Sequence, residues 1–264
     1  MMGRHMIQMT SHTSAARHTF RPGALQQRSE INSGNANPDF CVGEVGVQQT
    51  RTLRAGESLF MQGDDLPSVC VLRTGWAFRY QCLEDGRRQI VDFVLPGDVL
   101  GIGSTSQMLY GVEALTPCTW VVIPRETFLR HINRQPALSL KLLNMLSAAQ
   151  MRAFDQMTSV GRRTARERVA HLLLDLARRV QRSASECEGV EITMPLMLSH
   201  IGDALGLATE TVCRCLGELK RAGTLVFSAG RLEILDLAAL SDLVGVMREE
   251  DEVAESRGRK LLVA

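Results

Sequence analysis

The stretch LSHIGDALGLATETVCRCLGELKRAG, residues 198–223, decides the fold of the C-terminal part of the chain. Apolar residues recur in it at helical spacing on both sides of Gly206, which predicts two short helices joined by a tight turn. The face of the second helix opposite the apolar stripe holds Glu210, Cys213, Arg214 and Gly217. This is a helix-turn-helix pattern, and Arg and Glu on such a face can contact base edges in a DNA major groove. The alternative is a pair of amphipathic helices in an ordinary small core.

The composition is that of an ordinary globular protein with room for two domains. The chain has 264 residues, 45% of them hydrophobic, and a formal net charge of +1. No apolar run approaches the roughly 20 residues that cross a bilayer, and the N-terminal residues lack the apolar core of a signal peptide. The seven cysteines form an odd number without repeated spacing, which argues against a disulfide framework. We therefore expect a cytoplasmic protein with no membrane partner.

A basic block precedes the helix-turn-helix. Between Gly161 and Arg182 the chain carries seven arginines against two acidic residues. Such a block can meet DNA phosphates, which would reconcile a near-neutral chain with nucleic-acid binding. A solvated helix surface is the alternative explanation.

Glycines punctuate the N-terminal half of the chain. Residues 1–40 are rich in Ser, Asn, Gln, Gly, Arg and His, which predicts a disordered arm. From Arg51 to Pro124 short alternating segments follow, with turns expected at Gly56, Gly63, Gly75, Gly86, Gly97 and Gly101. Turns at intervals of about 7–12 residues are typical of a compact all-β sandwich or barrel. We assign residues 41–135 to a β-roll or jelly-roll domain.

A long helix is predicted over residues 136–162, with Pro136 tolerated in its first turn. One stripe repeats with the alternating three- and four-residue spacing of a coiled-coil seam: Leu143, Leu146, Gln150, Ala153, Met157 and Val160. Leu142 and Met145 lie on another face, which can cover the β-domain. The pattern predicts a homodimer formed through this helix. A monomer in which both faces pack internally is the alternative.

The remaining segments complete a winged helix over residues 163–250. The segment ARERVAHLLLDLARRVQ is a well-formed amphipathic helix, and TLVFSAGRLEIL predicts two strands that turn at Ala229-Gly230. A last helix is expected from Leu237 to about Met247, and residues 251–264 form a charged tail. The predicted fold class is α+β, with an N-terminal β-roll, a long dimerisation helix and a C-terminal winged helix-turn-helix.

This layout resembles the Crp/Fnr family of bacterial transcription regulators from about Arg51 to Leu243. The segments LRAGESLFMQGD and LPGDVLG look like the family's β-roll signatures, and IGDALGLATETVCRCLGELKRAG looks like its DNA-binding signature. The resemblance implies a sequence-specific DNA-binding transcription regulator, an activator that works with RNA polymerase and has no enzymatic activity.

The second helix of the motif resembles the recognition helix of the Fnr and FixK branches, whose reading motif is Glu, two residues, Ser, Arg. Here Glu210 and Arg214 occupy the ends of that motif, which implies that they read a C·G pair in a palindrome of the type TTG-N8-CAA. The expected DNA-contacting set is Thr209, Glu210, Thr211, Cys213, Arg214 and Gly217. Ala208 departs from the family, because relatives often carry Ser or Thr at this capping position.

Cys213 is a second departure, because the branch has Ser there. Oxidation of an exposed thiol to sulfinate or sulfonate adds negative charge, which would weaken binding next to DNA phosphates. The sequence therefore suggests a redox-sensitive cysteine in the recognition helix. The alternative is that Cys213 is only a small polar substitute for Ser.

The residues that bind cofactors elsewhere in the family are missing. Ile102 replaces the Glu of the cyclic-nucleotide site, and the Arg-Ser pair that meets the cyclic phosphate is absent. An iron–sulfur cluster of the Fnr type needs four cysteine ligands, three of them near the N-terminus. Only Cys41 lies there, and Val121 occupies the position of the internal cysteine ligand. No His occurs between His18 and His131 that could hold haem. These absences indicate a FixK-like regulator that needs no cofactor.

Two alternatives remain for the β-domain. One is a Crp-type regulator with an unidentified small ligand in the β-roll. The remote one is a metal-dependent enzyme of the cupin type, which needs two or three His in its barrel, where this sequence has none.

The resemblance also implies a contact with RNA polymerase through surface loops of the β-roll. The candidates are Ile90, Val91, Asp92, Gly97 and Asp98. Gly97-Asp98 is equally well explained as a turn.

Overall fold

The structure is a computed structural model that describes residues 49–103, 107–181 and 191–245. The predicted arm over residues 1–40, the loop SASECEG and the charged tail over residues 251–264 lie outside these ranges. Among the helices described, none is both long and apolar enough to cross a bilayer.

The N-terminal domain is an antiparallel β-roll of two four-stranded sheets. Its strands are β1 (Gln49–Leu53), β2 (Ser58–Phe60), β3 (Ser68–Thr74), β4 (Ala77–Cys82), β5 (Arg88–Val94), β6 (Val99–Leu100), β7 (Gly111–Ala114) and β8 (Cys118–Pro124). One sheet has the order β1-β8-β3-β6 and the other β2-β7-β4-β5. The predicted β-roll is confirmed.

Helices and a small third sheet follow the roll. The helices are α1 (Arg125–Arg134), α2 (Pro136–Arg162), α3 (Ala165–Val180), α4 (Leu198–Leu205), α5 (Thr209–Arg221) and α6 (Leu237–Val244). The third sheet contains β9 (Glu191–Thr193), β10 (Leu225–Ser228) and β11 (Arg231–Ile234) in the order β10-β11-β9. The predicted winged helix-turn-helix is therefore present, in a fold of the α+β class.

Two details of the C-terminal domain differ from the sequence-based expectation. Strand β9 was not expected, because three residues carry too little periodicity to signal a strand, and its partner β11 defines it. Helix α6 ends at Val244, three residues before the expected Met247, because Gly245 adopts the left-handed conformation with φ 67°.

Strand β3 helps to build two separate cores because its side chains alternate between the faces of its sheet. Cys70 and Leu72 lie in the core inside the roll, together with Trp120. Val69 and Val71 pack on the other face of the sheet against the core that includes α1 and the start of α2. The apolar run VCVL is thus buried on both faces, and it fixes the long helix α2 against the roll.

Helix α3 begins with a complete capping box at Thr164. The Thr164 side chain accepts a hydrogen bond from the Glu167 backbone N–H, and the Glu167 carboxylate accepts one from the Thr164 backbone N–H. Between α2 and α3 the backbone is therefore extended at two residues, Arg163 and Thr164, and the capping box marks where α3 begins.

The expected turn glycines of the roll all have positive φ angles. Gly75, which joins β3 to β4, has the closest surroundings, since a Cβ built there would lie 2.4 Å from the Pro117 carbonyl oxygen and 2.8 Å from Cys118 Sγ. At Gly63, which has the same φ of 90°, a Cβ would meet no atom within 4 Å.

We expect Gly63→Ala to lower the free energy of unfolding by about 1–2 kcal/mol, the cost of a positive φ for an L-residue. Gly75→Ala adds a backbone clash and should cost about 1–3 kcal/mol more. Urea unfolding of the two variants measures the difference, and equal midpoints would contradict the close approach at Gly75.

Candidate nucleic-acid interface

The helix-turn-helix is formed by α4, a left-handed turn and α5. Gly206 ends α4 with φ 64° and ψ 38°, and the Leu207 N–H donates to the Gly202 carbonyl oxygen at 3.0 Å. Gly202 permits this tight turn, because a Cβ there would lie 2.6 Å from the Leu207 carbonyl oxygen. Helical spacing in the sequence predicts the turn at Gly206 but gives no signal for Gly202, whose role depends on a contact with Leu207, five residues along the chain.

The apolar stripe predicted from the sequence forms the inner face of the motif. Its members are buried at 0–8% exposure: Ile201, Leu205, Val212, Leu216 and Leu219. They share a core with α3, where Val169, Leu173 and Leu176 are fully buried. This core orients α5 so that its other face points to solvent.

The outward face of α5 holds the predicted DNA-contacting residues. Thr209, Glu210, Cys213 and Arg214 are exposed, whereas Thr211 and Gly217 are half-buried. Within the described part of the chain, neither Glu210 nor Arg214 has a hydrogen-bond or ion-pair partner. Both side chains are therefore available to an external partner.

The start of α5 lacks a side-chain cap. Ala208 is the N-cap residue and provides no acceptor, and Thr209 is already the first helical residue. The departure noted at Ala208 thus leaves the N-terminus of α5 without the side-chain hydrogen bond that usually satisfies it.

The two cysteines of α5 lie in opposite environments. Cys213 is exposed and Cys215 is buried in the core of the motif. Burial raises the pKa of the Cys215 thiol, which favours its neutral, unreactive form. Chemistry at a thiol of this helix is thus confined to the outward face.

Helix α2 divides its apolar residues between two faces, as predicted. Leu142 and Met145 pack against the core formed with β3 and β8. The residues of the predicted seam are all exposed in the single chain: Leu143, Leu146, Gln150, Ala153, Met157 and Val160. Leu143 is 62% and Met157 71% exposed, so this long apolar stripe is not covered by any of the residues that the structure describes.

Arg179 of α3 connects the winged helix to the β-roll. Its guanidinium lies 3.1 Å from an Asp92 carboxylate oxygen and 3.0 Å from one of Asp98, and it donates to the Phe93 carbonyl oxygen at 2.7 Å. Arg79 also pairs with Asp92. Burial alone would raise the pKa of Asp92, but Arg179 and Arg79 outweigh it and hold the pKa below its ordinary value.

These contacts correct the prediction of which residues of the β-roll contact RNA polymerase. Ile90 is 1% exposed and belongs to the core, so its side chain is not available at the surface. The Asp92 carboxylate is occupied by the guanidinium groups around it. Val91 is exposed, whereas Gly97 and Asp98, before β6, are half-buried, and the Asp98 carboxylate pairs with Arg179. Of the residues predicted to contact RNA polymerase, only Val91 and the half-buried Gly97 stay available at the surface.

A cavity of about 400 Å³ lies between the β-roll, α2 and the end of α3. Its walls combine apolar and guanidinium groups, including those of Trp76, Arg79, Ile102, Tyr110, Arg152 and Arg179. Ile102, at the position where the family resemblance implies a Glu, is part of this lining. In the described residues, His, Cys, Asp and Glu form no cluster that could hold a metal ion.

Two known domain families match separate parts of the chain. A cyclic nucleotide-binding domain model matches residues 50–135, and a Crp-like helix-turn-helix domain model matches residues 167–243.

Characterised relatives match both parts together. The chain is 33% identical to the transcriptional activator protein FnrL of Cereibacter sphaeroides over 202 residues, which cover 75% of this chain and 82% of FnrL. It is 35% identical to the nitrogen fixation regulation protein FixK of Bradyrhizobium diazoefficiens over 192 residues, which cover 72% and 79% of the two chains.

The fold is similar to that of a solved relative. FixK2 from Bradyrhizobium japonicum superposes with a TM-score of 0.67 at 30% identity, covering 76% of this chain and all of FixK2.

Proposed function

The chain belongs to the Crp/Fnr family of DNA-binding transcription regulators, and we propose that it acts as a homodimeric activator on a palindrome of the type TTG-N8-CAA. The observation that carries the proposal is the exposed pair Glu210 and Arg214, one helical turn apart and without intramolecular partners among the described residues. Arg suits the two acceptors of guanine, and Glu can accept from the amino group of cytosine, so the pair fits one C·G base pair.

The exposed stripe of α2 supports the homodimer. A helix of 27 residues with one face packed on the β-roll and an apolar opposite face is suited to pair with a second copy. A symmetric dimer presents two recognition helices related by a two-fold axis, which matches the two-fold symmetry of a palindrome.

The relatives support the role of activator. FnrL is named a transcriptional activator and FixK a nitrogen fixation regulation protein, so both are regulators of transcription or of a process and neither name is that of an enzyme. An activator needs RNA polymerase as a partner, and we assign that contact to the exposed Val91 and the half-buried Gly97. Such a protein acts where the bacterial chromosome lies, in the cytoplasm.

We further propose that DNA binding needs neither a cyclic nucleotide nor an iron–sulfur cluster. An apolar Ile102 in the cavity cannot replace the Glu that meets the ribose, and Val121 is a buried core residue of β8. The second candidate function, regulation by a small effector, is favoured by the cavity itself, whose lining is largely apolar because Arg79, Arg152 and Arg179 in its wall are paired with Asp92 or Asp98.

We also propose that oxidation of Cys213 weakens DNA binding. Its thiol lies on the exposed face between the two base-reading residues, so oxidation by peroxide to sulfinate would place a negative charge against the DNA. The buried Cys215 does not share this exposure.

We expect Arg214→Ala to weaken binding to a fluorescent TTG-N8-CAA duplex by about 1–3 kcal/mol per half-site, because a bidentate contact is lost. Glu210→Ala should discriminate little between the TTG-N8-CAA duplex and a duplex in which the C·G pair is altered. Fluorescence anisotropy measures both, with Arg87→Ala in the β4–β5 hairpin as the control that binds normally. Unchanged discrimination in Glu210→Ala would refute the assignment of the reading pair.

The ligand-free protein at micromolar concentration should sediment at twice the chain mass. Leu143→Glu should sediment as a monomer, since a charge in an apolar seam loses its hydration on pairing. Leu129→Glu is the matched control, because Leu129 of α1 is also exposed, at 48%, but lies outside the seam. A monomeric wild-type protein, or dimeric Leu143→Glu, would contradict this dimer.

Peroxide should abolish DNA binding of the wild-type protein and leave Cys213→Ser active. Cys82→Ser removes another exposed thiol and should remain as sensitive as the wild type. The measurement is a gel shift after peroxide treatment and quenching. Equal inhibition of all three proteins would show that Cys213 is only a substitute for Ser.

A further inference from the structure

Two side-chain amides from different parts of the molecule meet at one carbonyl oxygen of α4. Gln89 of β5 donates through Nε2 to the Ala204 carbonyl oxygen at 3.0 Å, and Gln156 of α2 donates to the same oxygen at 2.7 Å. The last carbonyl groups of a helix lack partners within the helix, so these amides satisfy a group that would otherwise be unpaired. Ala204 lies two residues before Gly206, directly at the turn that orients α5.

A charged pair beside this carbonyl holds the same helix to the β-roll. Arg88 lies 3.1 Å from an Asp203 carboxylate oxygen of α4 and 3.2 Å from one of Glu113 in β7. Its guanidinium also stacks over the Phe78 ring at 4.9 Å from the centroid, which limits its orientation. The pair is partly buried, with side-chain exposures of 29% for Arg88 and 34% for Asp203.

We call this set of contacts, made by Arg88, Gln89 and Gln156 to Asp203 and Ala204, the interdomain clasp. It joins three units: the β-roll, the dimer helix α2 and the helix-turn-helix. The exposed reading face of α5 is not part of it. The clasp therefore fixes where the reading face points without covering it.

We propose that Arg88, Gln89 and Gln156 are positioning residues, which set the distance between the two recognition helices and thereby the half-site spacing that the regulator accepts. The inference rests on the proposed dimeric DNA binding. A dimer must place its recognition helices about 34 Å apart, or a multiple of that distance, to enter successive major grooves. Between α2 and α3 the chain itself provides only the extended residues Arg163 and Thr164, so the placement of the winged helix depends on its contacts with the rest of the chain, both the shared apolar core and the clasp.

The central test uses isosteric changes that remove the amide donors. Gln89→Glu with Gln156→Glu replaces both donors by carboxylates that face the Ala204 carbonyl oxygen. Gln81→Glu is the matched control, because Gln81 makes the same amide-to-carbonyl bond, to Leu109 at 3.2 Å, within the β-roll. Fluorescence anisotropy is measured on duplexes with spacers of seven, eight and nine base pairs and on a single half-site.

We expect the double variant to lose about tenfold in affinity for the eight-base-pair spacer, a coupling of about the size usual between linked sites. The preference of the double variant for the eight-base-pair spacer over the seven- and nine-base-pair spacers should shrink. Its affinity for a single half-site should stay at the wild-type value. Gln81→Glu should keep the wild-type profile. An unchanged spacer profile in the double variant, or an equal loss on the half-site, would overturn the positioning role.

A charge exchange tests the neighbouring pair independently. Arg88→Glu should broaden spacer selectivity because it repels both Asp203 and Glu113, and Arg88→Glu with Asp203→Lys should restore it in part, since the repulsion from Glu113 stays. A double exchange no better than the single change would contradict the role of the pair. Failure of the wild-type protein to bind any palindrome would instead refute the proposed function, and the positioning role with it.

Discussion

The packing of the winged helix against the β4–β5 face of the roll is the constraint on which the rest of the structure depends. Phe78, Ile90 and Phe93 of the roll lie in the same buried core as the helices of the DNA-binding domain. This continuity makes the two domains one packed body in the single chain. It follows that the orientation of α5 is set by residues of the β-roll as well as by its own helix-turn-helix core.

Charged groups between the β-roll and the winged helix restrict how the two domains are oriented. Asp92 receives Arg79, Arg152 and Arg179 from three different elements, and its pKa is held low although burial opposes ionisation. Apolar packing tolerates small rotations, whereas charged groups and amides with fixed acceptors favour one arrangement. A regulator that must reach two half-sites at once benefits from such directional contacts.

Helix α2 shows how one element can serve two purposes. Its face with Leu142 and Met145 belongs to the core under the roll, and its opposite face is an exposed apolar stripe. Gln156, on a third side, reaches the end of α4. The helix thus connects the surface suited to a second copy with the turn that orients the recognition helix.

Most of the architecture could be predicted from the sequence, because it depends on local rules. Glycines needing positive φ mark the turns of the roll, and helical periodicity separates the inner and outer faces of α4 and α5. The exposed position of Glu210, Cys213 and Arg214 follows from that periodicity alone. Strand β9 was missed because its three residues form a strand only through pairing with β11.

Only the tertiary structure decided which side chains of the roll are available at the surface and which are held in the core or in ion pairs. Ile90 and Asp92 read as surface candidates in the sequence, yet one is a core residue and the other an ion-pair partner of α3. Gln89 and Gln156 carry no sequence signal, and their common acceptor in α4 lies 115 and 48 residues away along the chain. Local spacing determined the reading face, whereas its placement depends on long-range contacts that periodicity does not encode.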